Sequence, residues 1–270
     1  MFKIQNPIST MTLLSVIIFM VTVNGCKKED EFNGRQATYV LEVEDVLGVS
    51  GTATFNETSA TSTSIDIVLT GAPAGTHPAE LRMNSAVEGG AVIVTLDPVD
   101  ATGKSSTPVT SISYDQLVAY DGFIQVHKSS SEPGVILAQG DIGGNVITST
   151  NITYTLDTVG TFNVSGTALF EKRVNGNTLV TITLTGTIAG ESYPASINLG
   201  SIASVGGGPV VMTLNNVEGN LGIGYTNIRQ LNSGIDITYD NWLVYDGYIN
   251  IYQTAVSLDN VICHGDIGSN

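Results

Sequence analysis

Three histidines, His77, His127 and His264, and two cysteines, Cys26 and Cys263, are the residues in this chain best suited to metal or nucleophilic chemistry. Their spacing works against both. A transition-metal site needs three or four ligands brought together. Aligned against an internal repeat described below, the histidines face Tyr193, Tyr252 and Gln139, so neither half of the repeat holds more than two of them. His77 precedes Pro78 and reads as a loop residue. Cys263, within Val261-Ile262-Cys263, aligns with Ala138 and reads as a small buried hydrophobe. No Gly-x-Ser-x-Gly elbow, phosphate loop or His-Glu-x-x-His motif is present. The expectation is a non-enzymatic protein without a cofactor.

Two carboxylates stand out. Asp141 and Asp266 lie in Gly140-Asp141-Ile142-Gly143 and Gly265-Asp266-Ile267-Gly268, blocks that repeat almost unchanged. One reading makes them calcium ligands, assisted by Asp121 or Asp246. But a calcium site draws on six to eight oxygens, and no dense acidic loop accompanies them. The favoured reading is structural: a turn in which the carboxylate accepts backbone N–H bonds while glycine takes positive φ. Trp242, Tyr245, Tyr248 and Tyr252 could form an aromatic sugar platform. Trp242 aligns with Leu117 and Tyr248 with Phe123, which favours packing in a core.

Cys26 carries a different chemistry. Lys3 supplies a positive start, and Thr10 to Val23 is a largely apolar stretch too short to span a bilayer comfortably. It ends Val23-Asn24-Gly25-Cys26, which resembles a bacterial lipobox. That resemblance implies a signal peptide over residues 1–25 and diacylation of Cys26, each buried methylene adding about 0.8 kcal/mol to membrane affinity. Lys27-Lys28-Glu29-Asp30-Glu31 follows, within an acidic tether over residues 26–36. It is similar to the sorting signal of surface-exposed lipoproteins of Bacteroidota. The implied location is the outer membrane, lipid-anchored and surface-exposed.

The rest is one unit written twice. Tyr39-Val40-Leu41-Glu42 recurs as Tyr154-Thr155-Leu156-Asp157, and Val49-Ser50-Gly51-Thr52-Ala53-Thr54-Phe55 as Val164-Ser165-Gly166-Thr167-Ala168-Leu169-Phe170, both 115 residues on. Tyr120-Asp121-Gly122-Phe123-Ile124 recurs as Tyr245-Asp246-Gly247-Tyr248-Ile249, and Gly140 to Asn145 as Gly265 to Asn270, both 125 residues on. An offset that only grows signals loop insertions in the second copy. Two domains are expected, over residues 37–148 and 149–270, in contact across a short seam near Val146 to Asn151. Within each copy the hydrophobic period is two, with Gly and Pro in the gaps. The full apolar run Ala91-Val92-Ile93-Val94-Thr95-Leu96 predicts a strand covered on both faces. The one helix-like stretch, Tyr114 to Val118, mirrored by Tyr239 to Leu243, is predicted to be a single turn capped by Asp115 and Asp240. Each copy has room for seven or eight strands, giving an all-β chain of two tandem antiparallel β-sandwich or Greek-key domains.

The repeated unit resembles the CHRD (chordin-like) domain. The likeness rests on Val49 to Phe55, on Gly75-Thr76-His77-Pro78-Ala79-Glu80-Leu81, and on Gly122 to His127 continuing to Gly140-Asp141-Ile142-Gly143. It implies a sandwich related in pattern to copper-zinc superoxide dismutase, and no catalytic activity. Family members often carry His-x-His at the central segment. Here that segment reads Ala79-Glu80-Leu81-Arg82 and Ala195-Ser196-Ile197-Asn198, with both imidazoles replaced.

Of 270 residues only 13% are charged, with 10 Lys+Arg against 25 Asp+Glu and a net charge of −15. A chain this acidic lacks the basic face a nucleic-acid binder needs. The expected role is a membrane-anchored binding or structural module, its partner an envelope protein or glycan. A divergent superoxide-dismutase-like metalloprotein and a glycan-binding accessory lipoprotein are the alternatives.

Overall fold

Alternation of buried and exposed side chains carries almost every element of the body. The computed structural model describes residues 34–204 and 207–270; the expected signal peptide and Cys26 lie outside them. The first repeat forms β1 (Gln36–Val43), β2 (Ser50–Ser59), β3 (Ser62–Thr70), β4 (His77–Met83), β5 (Val92–Val99), β6 (Lys104–Val109), α1 (Tyr114–Val118), β7 (Gly122–Ser129) and β8 (Glu132–Ile142). After a single 3₁₀ turn, Gly143–Asn145, the second forms β9 (Ile147–Thr158), β10 (Ser165–Arg173), β11 (Thr178–Thr185), β12 (Ser192–Leu199), β13 (Val210–Glu218), β14 (Ile223–Ile228), α2 (Tyr239–Trp242), β15 (Asp246–Thr254) and β16 (Ser257–Gly268). Each repeat thus has eight strands, and residues Gly34–Asn270 make one compact unit.

All strand pairs are antiparallel, and the two repeats share one topology. The first sheet runs β5-β4-β7-β8-β1-β2-β3-β6. The second has the corresponding order and closes into a barrel, because Glu218 of β13 pairs with Ile223 of β14. In both, the third strand neighbours the sixth rather than the fourth, so two connections cross over the ends of the sheet.

Each sheet encloses its own core. Leu41, Ala53, Phe55, Ile67, Ile124 and Ile142 are buried in the first, and Leu156, Ala168, Phe170, Ile182, Ile249 and Ile267 fill the same places in the second. The aromatic packing repeats as well. Tyr39 meets Phe55 edge-on at 5.0 Å, and Tyr154 meets Phe170 at 5.2 Å. Where the first core has Leu117, the second has fully buried Trp242 packed on Phe170 and Tyr245.

Two sequence expectations are corrected here. The caps of α1 and α2 are Ser113 and Thr238, each in a reciprocal capping box with Gln116 or Asn241. Asp115 and Asp240 sit inside the first turn and serve instead as ion-pair partners. Arg35 brackets Glu57 (2.9 Å) and Asp115 (2.6 Å) in the first repeat, while Lys172, at the position of Glu57, reaches Asp240 directly (2.6 Å) in the second. The second correction concerns β5, which is not covered on both faces: Val92 and Ile93 are 42% and 39% exposed.

Hydrogen bonds from the Arg35 side chain and backbone hold the Glu57 carboxyl down at about 2, well below its ordinary range. A depressed carboxylate pKa stabilises the fold above the unfolded value of about 4.3, and that contribution fades as pH falls through the folded one. An NMR pH titration of the Glu57 side-chain carbon is therefore expected to show a midpoint near 2. Arg35→Ala should return it towards about 4.3.

Candidate functional site

The repeated Gly-Asp-Ile-Gly-x-Asn block grips a loop from two sides. Asp141 sits near the end of β8, and its Oδ1 accepts the Ala86 N–H at 2.7 Å. Asp266 on β16 accepts the Ile202 N–H at 2.8 Å and the Ser201 hydroxyl at 3.3 Å. The asparagine ending each block holds a carbonyl of the same loop. Asn145 Nδ2 donates to Asn84 O at 2.6 Å, and Asn270 Nδ2 to Gly200 O at 3.1 Å. The Tyr-Asp-Gly block adds a third grip, since Asp121 O accepts the Asn84 N–H and Asp246 O the Gly200 N–H, both at 3.0 Å.

Gly143 and Gly268 take positive φ, 56° and 70°, and a Cβ at either would collide with the carbonyl of Tyr120 or Tyr245. Each carboxylate accepts a backbone N–H, donated from across the sheet end by the β4–β5 or the β12–β13 loop.

The two copies differ in what else the carboxylate meets. Arg173, at the end of β10, has no exposed surface. Its Nη1 donates to Asp141 Oδ2 at 2.9 Å and to the Asn145 carbonyl. The hairpin that carries it is bound to the first repeat along its backbone. Val174 N–H donates to Val146 O at 2.9 Å and Asn175 N–H to Gly144 O at 3.1 Å. The Asn175 amide adds a 2.6 Å bond to Asp121, and Glu88 accepts the Asn227 N–H at 3.1 Å. Burial pushes the Asp141 carboxyl above its ordinary range, while the Arg173 charge and the Ala86 N–H pull it back.

Nothing in the sequence reading singled out Arg173. Its counterpart at the 115-residue offset is Thr58, and the available signal was the basic pair Lys172-Arg173 in a chain with only 10 cations.

Two of the three histidines are held by hydrogen bonds. His77 is buried at the start of β4, not in a loop, and its ring nitrogens lie 2.6 Å from Lys128 O and 2.9 Å from Pro73 O. His127 on β7 lies 2.7 Å from Pro133 O and 3.3 Å from Glu80 Oε2. His264 is half-buried on β16. No cluster of three or more His, Cys, Asp or Glu suited to a metal occurs among the described residues.

The centre of β4 carries an ion pair. Arg82 Nη1 donates to Glu80 (2.9 Å) and to Gln125 (2.9 Å), and Gln125 in turn donates to Gln139 (2.9 Å). This polar row borders a groove of about 450 Å³ lined by Pro78, Val92, His127 and Pro133. The second repeat puts Ser196, Asn198 and Tyr252 there, with Ser196 Oγ 2.9 Å from the Tyr252 hydroxyl, beside a groove of about 250 Å³. Trp242, Tyr248 and Tyr252 are at most 6% exposed and Tyr245 is half-buried, so these rings present no common open face.

The chain matches no protein-family model, and no curated protein or solved structure is significantly similar to it.

Cys263 is fully buried opposite Ile251, and burial, aided by Asp157, pushes its thiol up to about 12. Thiolate is the reacting form. Cys263 is expected to resist a thiol reagent at pH 8 in the folded protein and to react at once in denaturant.

The interface arginine separates two otherwise equivalent aspartates. Asp266→Ala removes acceptors from a backbone N–H and a hydroxyl, at about 1–3 kcal/mol. Asp141→Ala also strands a buried guanidinium, and should cost about 3–5 kcal/mol. Denaturant unfolding of the two variants measures the difference, and Arg173→Met combined with Asp141→Asn should recover part of the loss.

Proposed function

We propose that the protein is a lipid-anchored, non-enzymatic binding or structural module of the outer membrane, its body built from two CHRD-like Greek-key sandwiches and displayed on the cell surface. The crossovers from β3 to β4 and from β6 to β7, repeated in the second copy, support the Greek-key, superoxide-dismutase-like part of this reading, since such folds join strands that are not neighbours. The observation that carries the module reading is the buried Arg173 clasp, which ties two domains into one body. Rigid presentation of a surface is useful to a scaffold or a binder, because less freedom is lost when a partner docks.

The Glu80–Arg82 pair at the family's His-x-His position favours a binding role over a superoxide-dismutase-like metal centre. The partner is an envelope protein or a glycan. Anchoring rests on Val23-Asn24-Gly25-Cys26, and surface display on the lysine and acidic run after it.

Cys26→Ser is expected to abolish acyl labelling and move the protein from the membrane to the soluble fraction. Protease added to intact cells should digest the wild-type body. Membrane association unchanged by the substitution would overturn the anchor, and protection until lysis would place the body in the periplasm.

A further inference from the structure

The two repeats finish the same end of the sheet differently. In the second it is the end away from the β10–β11 hairpin, where β9 turns into β10, β11 into β12 and β15 into β16. In the first repeat His77 spans the gap there, its ring nitrogens lying 2.9 Å from Pro73 O in the β3–β4 loop and 2.6 Å from Lys128 O on β7. The counterparts of His77, Pro73 and Lys128 are Tyr193, Ile188 and Gln253. Tyr193 reaches one side only. Its hydroxyl oxygen accepts the Ile188 N–H at 2.9 Å and makes no other hydrogen bond among the described residues. The stretch from Gly186 to Tyr193 is also one residue longer than that from Gly71 to His77. A cavity of about 250 Å³ stands between the β11–β12 loop and the end of β15.

The lining is mixed. Val164, Tyr193 and Ile262, all buried, form the floor, and the exposed Phe162 ring stands at the rim. Glu191, Gln253 and Thr254 bring a carboxylate, an amide and a hydroxyl to the wall. The Glu191 carboxylate is exposed and belongs to none of the ion pairs among the described residues. Because the Ile188 N–H is the donor in its bond to Tyr193, the Tyr193 hydroxyl keeps its own hydrogen. Tyr193 is 4% exposed, so the floor holds a buried donor with no acceptor in the protein.

These groups choose among ligands. An apolar side chain would seal the Tyr193 O–H without an acceptor, which is costly. A cation would gain only from exposed Glu191, and exposed pairs are weak. An anion would face that carboxylate in a chain of net charge −15. A neutral polyol suits every group, since each hydroxyl both donates and accepts. It takes the Tyr193 hydrogen, gives its own to Glu191, and exchanges bonds with Gln253 and Thr254, while the C–H face of its ring lies on Phe162. The space equals that of about eight waters in the liquid, which suits one ring and not a chain. We propose that this barrel mouth binds a single neutral pyranose, the end residue of an envelope glycan. The site rests on the reading of the body as a binding module and narrows its partner to the glycan.

Methyl NMR of the full chain in a zwitterionic detergent tests the site. The probes are the methyl glycosides of glucose, galactose, mannose and N-acetylglucosamine, with glucuronic acid as the charged control and para-cresol in place of a protein side chain. At least one neutral glycoside is expected to shift the Val164, Ile188 and Ile262 methyls saturably, and glucuronic acid to leave them unmoved. Glu191→Ala at the rim and Tyr193→Phe at the floor should each weaken that binding about tenfold, with the other methyl resonances unchanged. Should Tyr193→Phe fail to fold, Glu191→Ala decides alone. These methyls staying still with every glycoside, or binding that survives the substitutions, overturns the site. A stronger response to para-cresol overturns it in favour of a protein partner. Retention on isolated envelope polysaccharide then separates the two failures: a chain still retained keeps the glycan-binding reading with its site elsewhere, and a chain not retained loses it.

Discussion

A guanidinium cut off from water must be answered by charge and by hydrogen bonds, and the arrangement around Arg173 follows from that requirement. Removing such a cation from solvent costs several kcal/mol before any contact is made. Asp141 and the Asn145 carbonyl answer it through Nη1, while Nε and Nη2 are buried without a hydrogen-bond partner among the described residues. Both acceptors belong to the block that also holds the Asn84–Ala91 loop. The loop in turn presents Glu88 to β14. The grip on the loop, the junction between the repeats and the position of the β10–β11 hairpin are therefore one connected network. Disturbing any member leaves another polar group buried without an answer, and such groups are worth more in a low-dielectric interior than at a surface.

The repeats show what a duplicated sheet keeps and what it releases. Core positions keep their size class, with the exchange of Leu117 for Trp242 as the large exception. Surface ion pairs keep their location but not their residues. Glu57 and Lys172 occupy one position with opposite charge, and each is paired to the aspartate in its own short helix, through Arg35 in the first copy and directly in the second. Arg35 and Lys172 also lie over the Tyr114 and Tyr239 rings, so the cation–π contact is retained as well. What is selected there is a bridge from the sheet to the helix, whatever residues make it.

The strands were legible because period-two alternation is imposed by the pleat itself. Leu41, Ala53, Phe55 and Ile67 fall inward with their counterparts 115 residues on. Other features were not legible, each for a physical reason. The helix caps were assigned two residues too late, because Asp115 and Asp240 suit a cap by residue type while the capping box depends on Ser113 with Gln116 and Thr238 with Asn241. The β5 run was read as doubly covered, because hydrophobicity reports a preference for burial and not the presence of a covering element. Arg173 was missed because its partner lies in the other repeat, and a pattern built on likeness between copies is blind to the residue that joins them.

The strand order also dictates when each sheet can be completed on a growing chain. β1 pairs with β8 through Glu42 and Gln139, and β9 with β16 through Thr158 and Cys263, in each case about a hundred residues apart. Closing a loop of that length carries an entropic cost before the contact repays it, and contacts distant in sequence slow folding. The second sheet must wait for β16, whereas the first has all its strands once Ile142 is made. The β10–β11 hairpin, local and quick to form, thus emerges beside a finished first repeat and can seat Arg173 against Asp141 while its own barrel is still open.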